Sequence, residues 1–214
     1  MSRRLAVLLA CVGVILLATP ALAGPAMPVG SSAFGRSRAA WGQEWGQWAL
    51  GDSSDPLIGS LTEGHCGDLV DGAFFMVPPI DVGVEVDCDV PLGTPIVFSH
   101  AAFFGWIPAD GDTDEKIIAS ANAGFAPDSS EVTVDGRAVP LTAINIGAFD
   151  VESEPGSFYD AIIGLGTGTI RTTITGHFTI LHPLTPGDHE VHAVADFTTI
   201  AGVAYSITYN VHVG

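Results

Sequence analysis

The last strand-length run of the chain alternates without a break. Val203, Tyr205, Ile207, Tyr209, Val211 and Val213 are apolar, and Ala204, Ser206, Thr208, Asn210 and His212 stand between them. Successive side chains of an extended chain point to opposite faces, so this run demands a strand with one buried face. The same period recurs earlier. Ile170, Thr172, Ile174, Gly176, Phe178 and Ile180 alternate with Arg171, Thr173, Thr175, His177 and Thr179. Val82, Val84, Val86, Cys88 and Val90 alternate with Asp81, Gly83, Glu85, Asp87 and Asp89. Runs like these can be buried only against another layer, which sets the architecture.

The remaining segments fit between these three runs. Residues 68–79 contain the continuous apolar run Ala73 to Val77, closed by Pro78-Pro79, and Thr94 to Trp106 begins a second apolar strand. Asp135-Gly136 joins two β-prone runs within Glu131 to Val139, the strongest short hairpin signal. Ile144 to Phe149 and the stretch after the turn at Thr185-Pro186-Gly187 read as further strands. Two segments differ. Trp41, Trp45 and Trp48 recur at helical spacing behind Ser37, a plausible N-cap, with Gly51 as a plausible stop. Gly42 and Gly46 weaken that helix by about 1 kcal/mol each relative to Ala, so it depends on burying its indoles. The indoles either plug one side of a sheet or present a face for sugar rings. Thr113 caps a second short helix with Asp114 and Glu115 in its first turn and Gly124 at its end. Strands at this spacing predict a mainly β fold, an antiparallel β-sandwich with two short helices.

The N-terminus reads as an export signal. Arg3 and Arg4 precede the apolar run Leu5 to Leu17, Pro20 breaks it, and Ala21-Leu22-Ala23 is a small-x-small cleavage pattern. The apolar run is shorter than the roughly 20 residues that cross a bilayer. The expected organisation is a signal peptide over 1–23, a flexible Pro/Gly/Ser-rich leader over 24–36, and a single domain over 37–214. This places the protein outside the cell by the secretory route. Cys11 leaves with the signal, so Cys66 and Cys88 remain as one expected disulfide. Such a loop is worth about 3 kcal/mol in the chain-entropy reading. A metal pair and free thiols are the alternatives, but a zinc site takes about four ligands and only His65 lies beside Cys66.

The charge balance narrows the partners. Seven Lys and Arg stand against 24 Asp and Glu, for a formal charge of −17. Phosphate backbones and anionic membranes reward basic residues, so nucleic acid and anionic lipid are not expected as partners. A basic protein, a carbohydrate or a cation fits better. With 47% hydrophobic residues, the chain also has ample material for a core and does not read as disordered.

Two resemblances follow from specific stretches. The order Trp41/Trp45/Trp48, GHCGD, GAFFMV, VDCDVPLGTPIVF, TDEK, VDGRAV and PLTPGDHEV resembles a family of secreted bacterial proteins with no established activity. The last 30 or so residues resemble the terminal strands of an immunoglobulin-like bacterial extracellular domain. The first resemblance implies export and the Cys66–Cys88 pairing.

Candidate chemistry is sparse. Asp110, Asp112 and Asp114 form D-x-D-x-D, a pattern of hard oxygen ligands that suits Ca²⁺, but Glu115 and Ala121 stand where an EF-hand needs Gly and Glu. The expectation is weak Ca²⁺ binding at most, or an acidic lead into the helix. Glu85, Asp87 and Asp89 share one strand face. His189 and His192 fall on opposite faces of a strand and cannot chelate together. There is no Gly-x-Ser-x-Gly elbow, and Gly164-Leu165-Gly166 leads into strand alternation rather than a helix, so no dinucleotide fingerprint is present. The reading is a binding or surface-interaction module without catalysis. A hydrolase with paired carboxylates and a purely structural envelope role are the alternatives.

Overall fold

The computed structural model describes residues 24–28, 30, 32–53, 57, 64–78 and 81–214, and the expected signal over 1–23 lies outside them. In chain order the elements are α1 (Arg38–Gly51), β1 (Gly67–Val70), β2 (Ala73–Met76), β3 (Val84–Val90), β4 (Ile96–Trp106), α2 (Asp114–Gly124), β5 (Ser129–Val134), β6 (Arg137–Ala138), β7 (Ala143–Ser153), a π-helical turn (Phe158–Ile162), β8 (Gly168–Leu181), β9 (Gly187–Phe197), α3 (Thr198–Ala201) and β10 (Val203–Val213). The strands make two five-stranded sheets, ordered β1-β2-β4-β8-β7 and β3-β10-β9-β5-β6.

The period-two runs form the long ladders. β9 and β10 pair antiparallel from Val203↔Phe197 to Val213↔Gly187. In β3 the pattern is strict: Val86, Cys88 and Val90 are buried, and Glu85, Asp87 and Asp89 are exposed. The two sheets face each other across a shared core, where the Phe98 ring packs 5.9 Å from Tyr209 and the Tyr209 hydroxyl donates to the Val77 carbonyl. Burial raises the Tyr209 phenol well above its ordinary value, so it remains a donor.

Pairing direction departs from expectation. β10 runs parallel to β3, with Ile207 opposite Val84 and Val213 opposite Val90, and β2 runs parallel to β4. Both sheets are therefore mixed. Alternation fixes which face of a strand is buried, but direction is set by the connection, and most of the chain separates β3 from β10. A hairpin was also missed. β1 and β2 turn through Asp71-Gly72, both at positive φ (49° and 83°), the same Asp-Gly signal that joins β5 to β6 at Asp135-Gly136.

Helix α1 covers one face of the first sheet. Trp41, Trp45 and Trp48 are 2%, 0% and 5% exposed, so the core takes their faces and none is left for a sugar ring. Each indole N–H has an acceptor: the carbonyls of Ala33 (2.9 Å) and Met76 (3.1 Å), and Asp68 Oδ2 (3.0 Å). That satisfies the requirement that makes a buried Trp tolerable. Gly42 and Gly46 are the contact points. A Cβ at Gly46 would sit 2.7 Å from the Phe149 ring and 2.8 Å from Ile174. Segment 24–36, expected as a leader, makes specific contacts with β8: Met27 donates to the Ile180 carbonyl (2.9 Å), and His182 donates to that of Pro25 (3.0 Å).

Cys66, just before β1, is bonded to Cys88 in β3, with Cα atoms 5.3 Å apart. The bond links the first sheet to the second, and both sulfurs belong to the core. Among the described residues no helix is long and apolar enough to cross a membrane.

Candidate functional site

The acidic loop before α2 does not assemble as a ligand set. Asp110 accepts from Ser120 Oγ (2.9 Å) and from the Trp106 N–H (3.1 Å). Asp112 pairs with Lys116 (2.6 Å), the neighbour four residues on. Asp114 takes Arg171 in a two-pronged contact (2.9 and 2.6 Å), and Arg171 also reaches Asp150 (3.0 Å). The Arg171 guanidinium holds the Asp114 carboxyl below its usual range. Each carboxylate thus has its own counter-charge or donor. The loop serves to end β4 and to fasten α2 to β8. Among the described residues no group of three or more His, Cys, Asp or Glu is placed to hold a metal ion.

The outer face of the second sheet carries a concavity of about 510 Å³ that includes Asp87, Asp89, Asp135, Asp188, His189 and His212. Its two histidines are each paired with an aspartate. His189 Nδ1 meets Asp135 (2.9 Å) and His212 Nδ1 meets Asp188 (2.7 Å), and each contact raises the imidazole's pKa. His192 instead meets Thr208 Oγ1 (3.1 Å), so the structure separates it from His189, as strand parity requires. This face is solvated, with the Asp188 side chain 92% exposed.

A different site lies where the two sheets part, and the sequence reading passed over it. The β4–β8 register slips between Ser99 and Ala101, so His100 is the extra residue of a bulge. Bulges re-aim side chains, and here an imidazole is sent into the gap between sheets, 2% exposed. His100 Nε2 lies 2.7 Å from Ser130 Oγ on β5, and that hydroxyl lies 3.0 Å from His177 Nδ1 on β8. The two imidazoles stack 5.6 Å apart, and Phe125 abuts His177 edge-on. Burial, helped by His177, pushes the His100 imidazole down to about 3, and burial lowers His177 as well. Both are neutral at pH 7. His100 Nδ1 is buried without a partner. A bare ring nitrogen is less costly to bury unpaired than an N–H, which places the proton on Nε2. Nε2–H then donates to Ser130, and Ser130 donates to His177. Among the described residues no carboxylate orients either ring, and burial lowers His177, the ring that accepts the Ser130 hydroxyl, which weakens it as a base. The cluster is a polar clasp between sheets.

Of the clasp, His100 forms part of the wall of an apolar cavity of about 320 Å³, whose lining includes Pro78, Ser99, Phe104, Phe158, Phe197 and Tyr205. A second concavity of about 240 Å³ continues from it, sharing Ala102, Phe104 and Phe158 and reaching Trp106, Asp110 and Ile163. The signal available in the sequence was the continuous run Ile96 to Trp106. It is too long and too apolar for a strand with one wet face, and His100 interrupts it.

No family model and no curated protein matches the chain. Among solved structures, the solution structure of Amebosin aligns with 64% of this chain and 97% of that one at 12% identity, with a TM-score of 0.19. A likeness that slight supports no statement about fold or function.

Proposed function

We propose that the chain is an exported, disulfide-stabilised β protein of sandwich type that acts as a binding module without catalysis and takes its ligand at the apolar cavity beside His100. The observation that carries this reading is the cavity itself. It is the size of an ordinary small-ligand pocket, lined by aromatic side chains with a few polar groups. The Cys66–Cys88 bond and the cleavage pattern at Ala21 to Ala23 support export. A hydrolase of the paired-carboxylate kind would need two carboxyl groups about 5 to 9.5 Å apart across a cleft. Among the described residues, Asp87, Asp89 and Asp188 line an open sheet face, and Asp112 and Asp114 are held in ion pairs.

A neutral apolar dye tests the reading. Nile red is expected to brighten on binding the protein, and Ala102→Phe, which grows a ring into both concavities, is expected to abolish the enhancement. Equal enhancement in both proteins rejects the cavity as the site. Intact-mass analysis of protein recovered from the medium is expected to show a chain beginning at Gly24.

A further inference from the structure

Strand β4 is covered on one side by β8 along its whole length, from Ile96↔Leu181 to Trp106↔Thr172. On its other side β2 meets it only at Ile96 and Val97. Among the described residues no strand continues that edge from Phe98 to Trp106. Which main-chain groups face outward follows from the bonds at the strand's end. Ile107 donates to the Arg171 carbonyl (3.0 Å) on β8, so the odd residues here point inward. Trp106 points the other way. Its N–H donates to Asp110 Oδ2 (3.1 Å), and its carbonyl accepts the Asp110 N–H (3.0 Å). By the period of two, Phe104 and Ala102 present their N–H and C=O groups along that same outer edge. No described group bonds them, and both residues line the two apolar concavities.

We infer that this edge binds an extended peptide by strand addition, with the peptide main chain pairing to Ala102 and Phe104 and apolar side chains seated in the two concavities. The inference rests on the binding-module reading above and names its ligand class. Unpaired main-chain groups beside apolar hollows select an extended polypeptide, because only a strand offers donors and acceptors at the matching spacing. From Ser99 to Gly105, before Asp110 closes the edge at Trp106, it is about 20 Å long at 3.3 Å per residue, room for about six peptide residues. Charge selects the flanks. The chain carries −17, Asp110 stands at one end of the edge, and Lys116 on α2 and Arg171 on β8 are already paired with acids. The occupant is a segment of alternating apolar residues bounded by Lys or Arg.

The test is titration calorimetry with a nine-residue peptide, a Val-Thr-Val-Thr-Val core with two lysines at each end. A second peptide has the same core amides N-methylated, which removes the donors and leaves the side chains. The first is expected to bind, and the second to bind at least tenfold more weakly. Ala102→Pro deletes one outward N–H and spares the β8 ladder, so it is expected to melt like wild type and lose at least tenfold in affinity. Equal binding of both peptides overturns strand addition and leaves apolar capture standing. No binding of the first peptide, with Nile red still bound, also overturns it. A dimer formed through this edge that the peptide cannot dissociate assigns the edge to a second copy and overturns it too. Should Ala102→Pro fail to fold, the methylated peptide still decides the matter.

Discussion

At the residue scale, His100 is the most consequential side chain. Unfolded, its imidazole titrates near the ordinary 6.5, and folded it titrates near 3. The folded state is therefore favoured fully above 6.5, and its advantage shrinks as pH falls toward 3, by about 1.4 kcal/mol per pH unit. His189, raised by Asp135, acts in the opposite sense. Its contribution is complete below 6.5 and fades as pH rises through its higher folded value. Urea denaturation between pH 6.5 and 4.5 is expected to show wild-type stability falling, and His100→Phe is expected to flatten that slope. An unchanged slope would mean that the imidazole protonates freely in the folded state. Trp45 tests packing instead. It is fully buried, stacks edge-on against Phe178 at 5.9 Å and donates to the Met76 carbonyl, so Trp45→Ala is expected to cost about 3–5 kcal/mol in the same assay.

At the scale of elements, α1 shows how packing can reverse a propensity argument. In isolation Gly46→Ala favours the helix by about 1 kcal/mol. Against the sheet the new methyl meets Phe149 and Ile174 at under 3 Å. Overpacking of that kind costs about 1–3 kcal/mol, so the variant is expected to melt below wild type. The link between α2 and β4 is equally close, since a Cβ at Gly105 would fall 2.8 Å from the Ile117 carbonyl. The acidic loop before α2 gives a further prediction. Asp112 has its own lysine, and Asp114 has an arginine. Millimolar Ca²⁺ is therefore expected to shift the melting of wild type and Asp112→Asn equally against EDTA controls. A shift confined to wild type would show that the loop rearranges around the ion.

At the scale of the whole molecule, the Cys66–Cys88 bond joins the two sheets across a sequence separation of 22. In the chain-entropy model a loop of that length is worth about 3 kcal/mol. Reduction is expected to lower the urea midpoint accordingly, without unfolding the protein outright. The clasp of His100, Ser130 and His177 spans the same two layers elsewhere in the interface, so the disulfide is joined by this tie and by the Tyr209–Val77 hydrogen bond.

Much of this was legible in the residues because a strand's period is local. The alternation of Val203 to Val213 and of Val84 to Val90 determined strand positions and buried faces, and three tryptophans at helical spacing determined a helix, while only the fold decided that their faces are buried. With Cys11 read as part of an export signal, Cys66 and Cys88 were the expected disulfide partners. Direction and adjacency were not local. β10 lies beside β3, more than a hundred residues away, and runs parallel to it, which no turn signal encodes. The glycines of α1 read as weaknesses until Phe149 and Ile174 stood against them. The bulge at His100 depends on register with β8, a property of the pair rather than of either strand. The cavity and the open edge of β4 exist because β2 stops after two paired residues, so tertiary pairing alone decided where they lie.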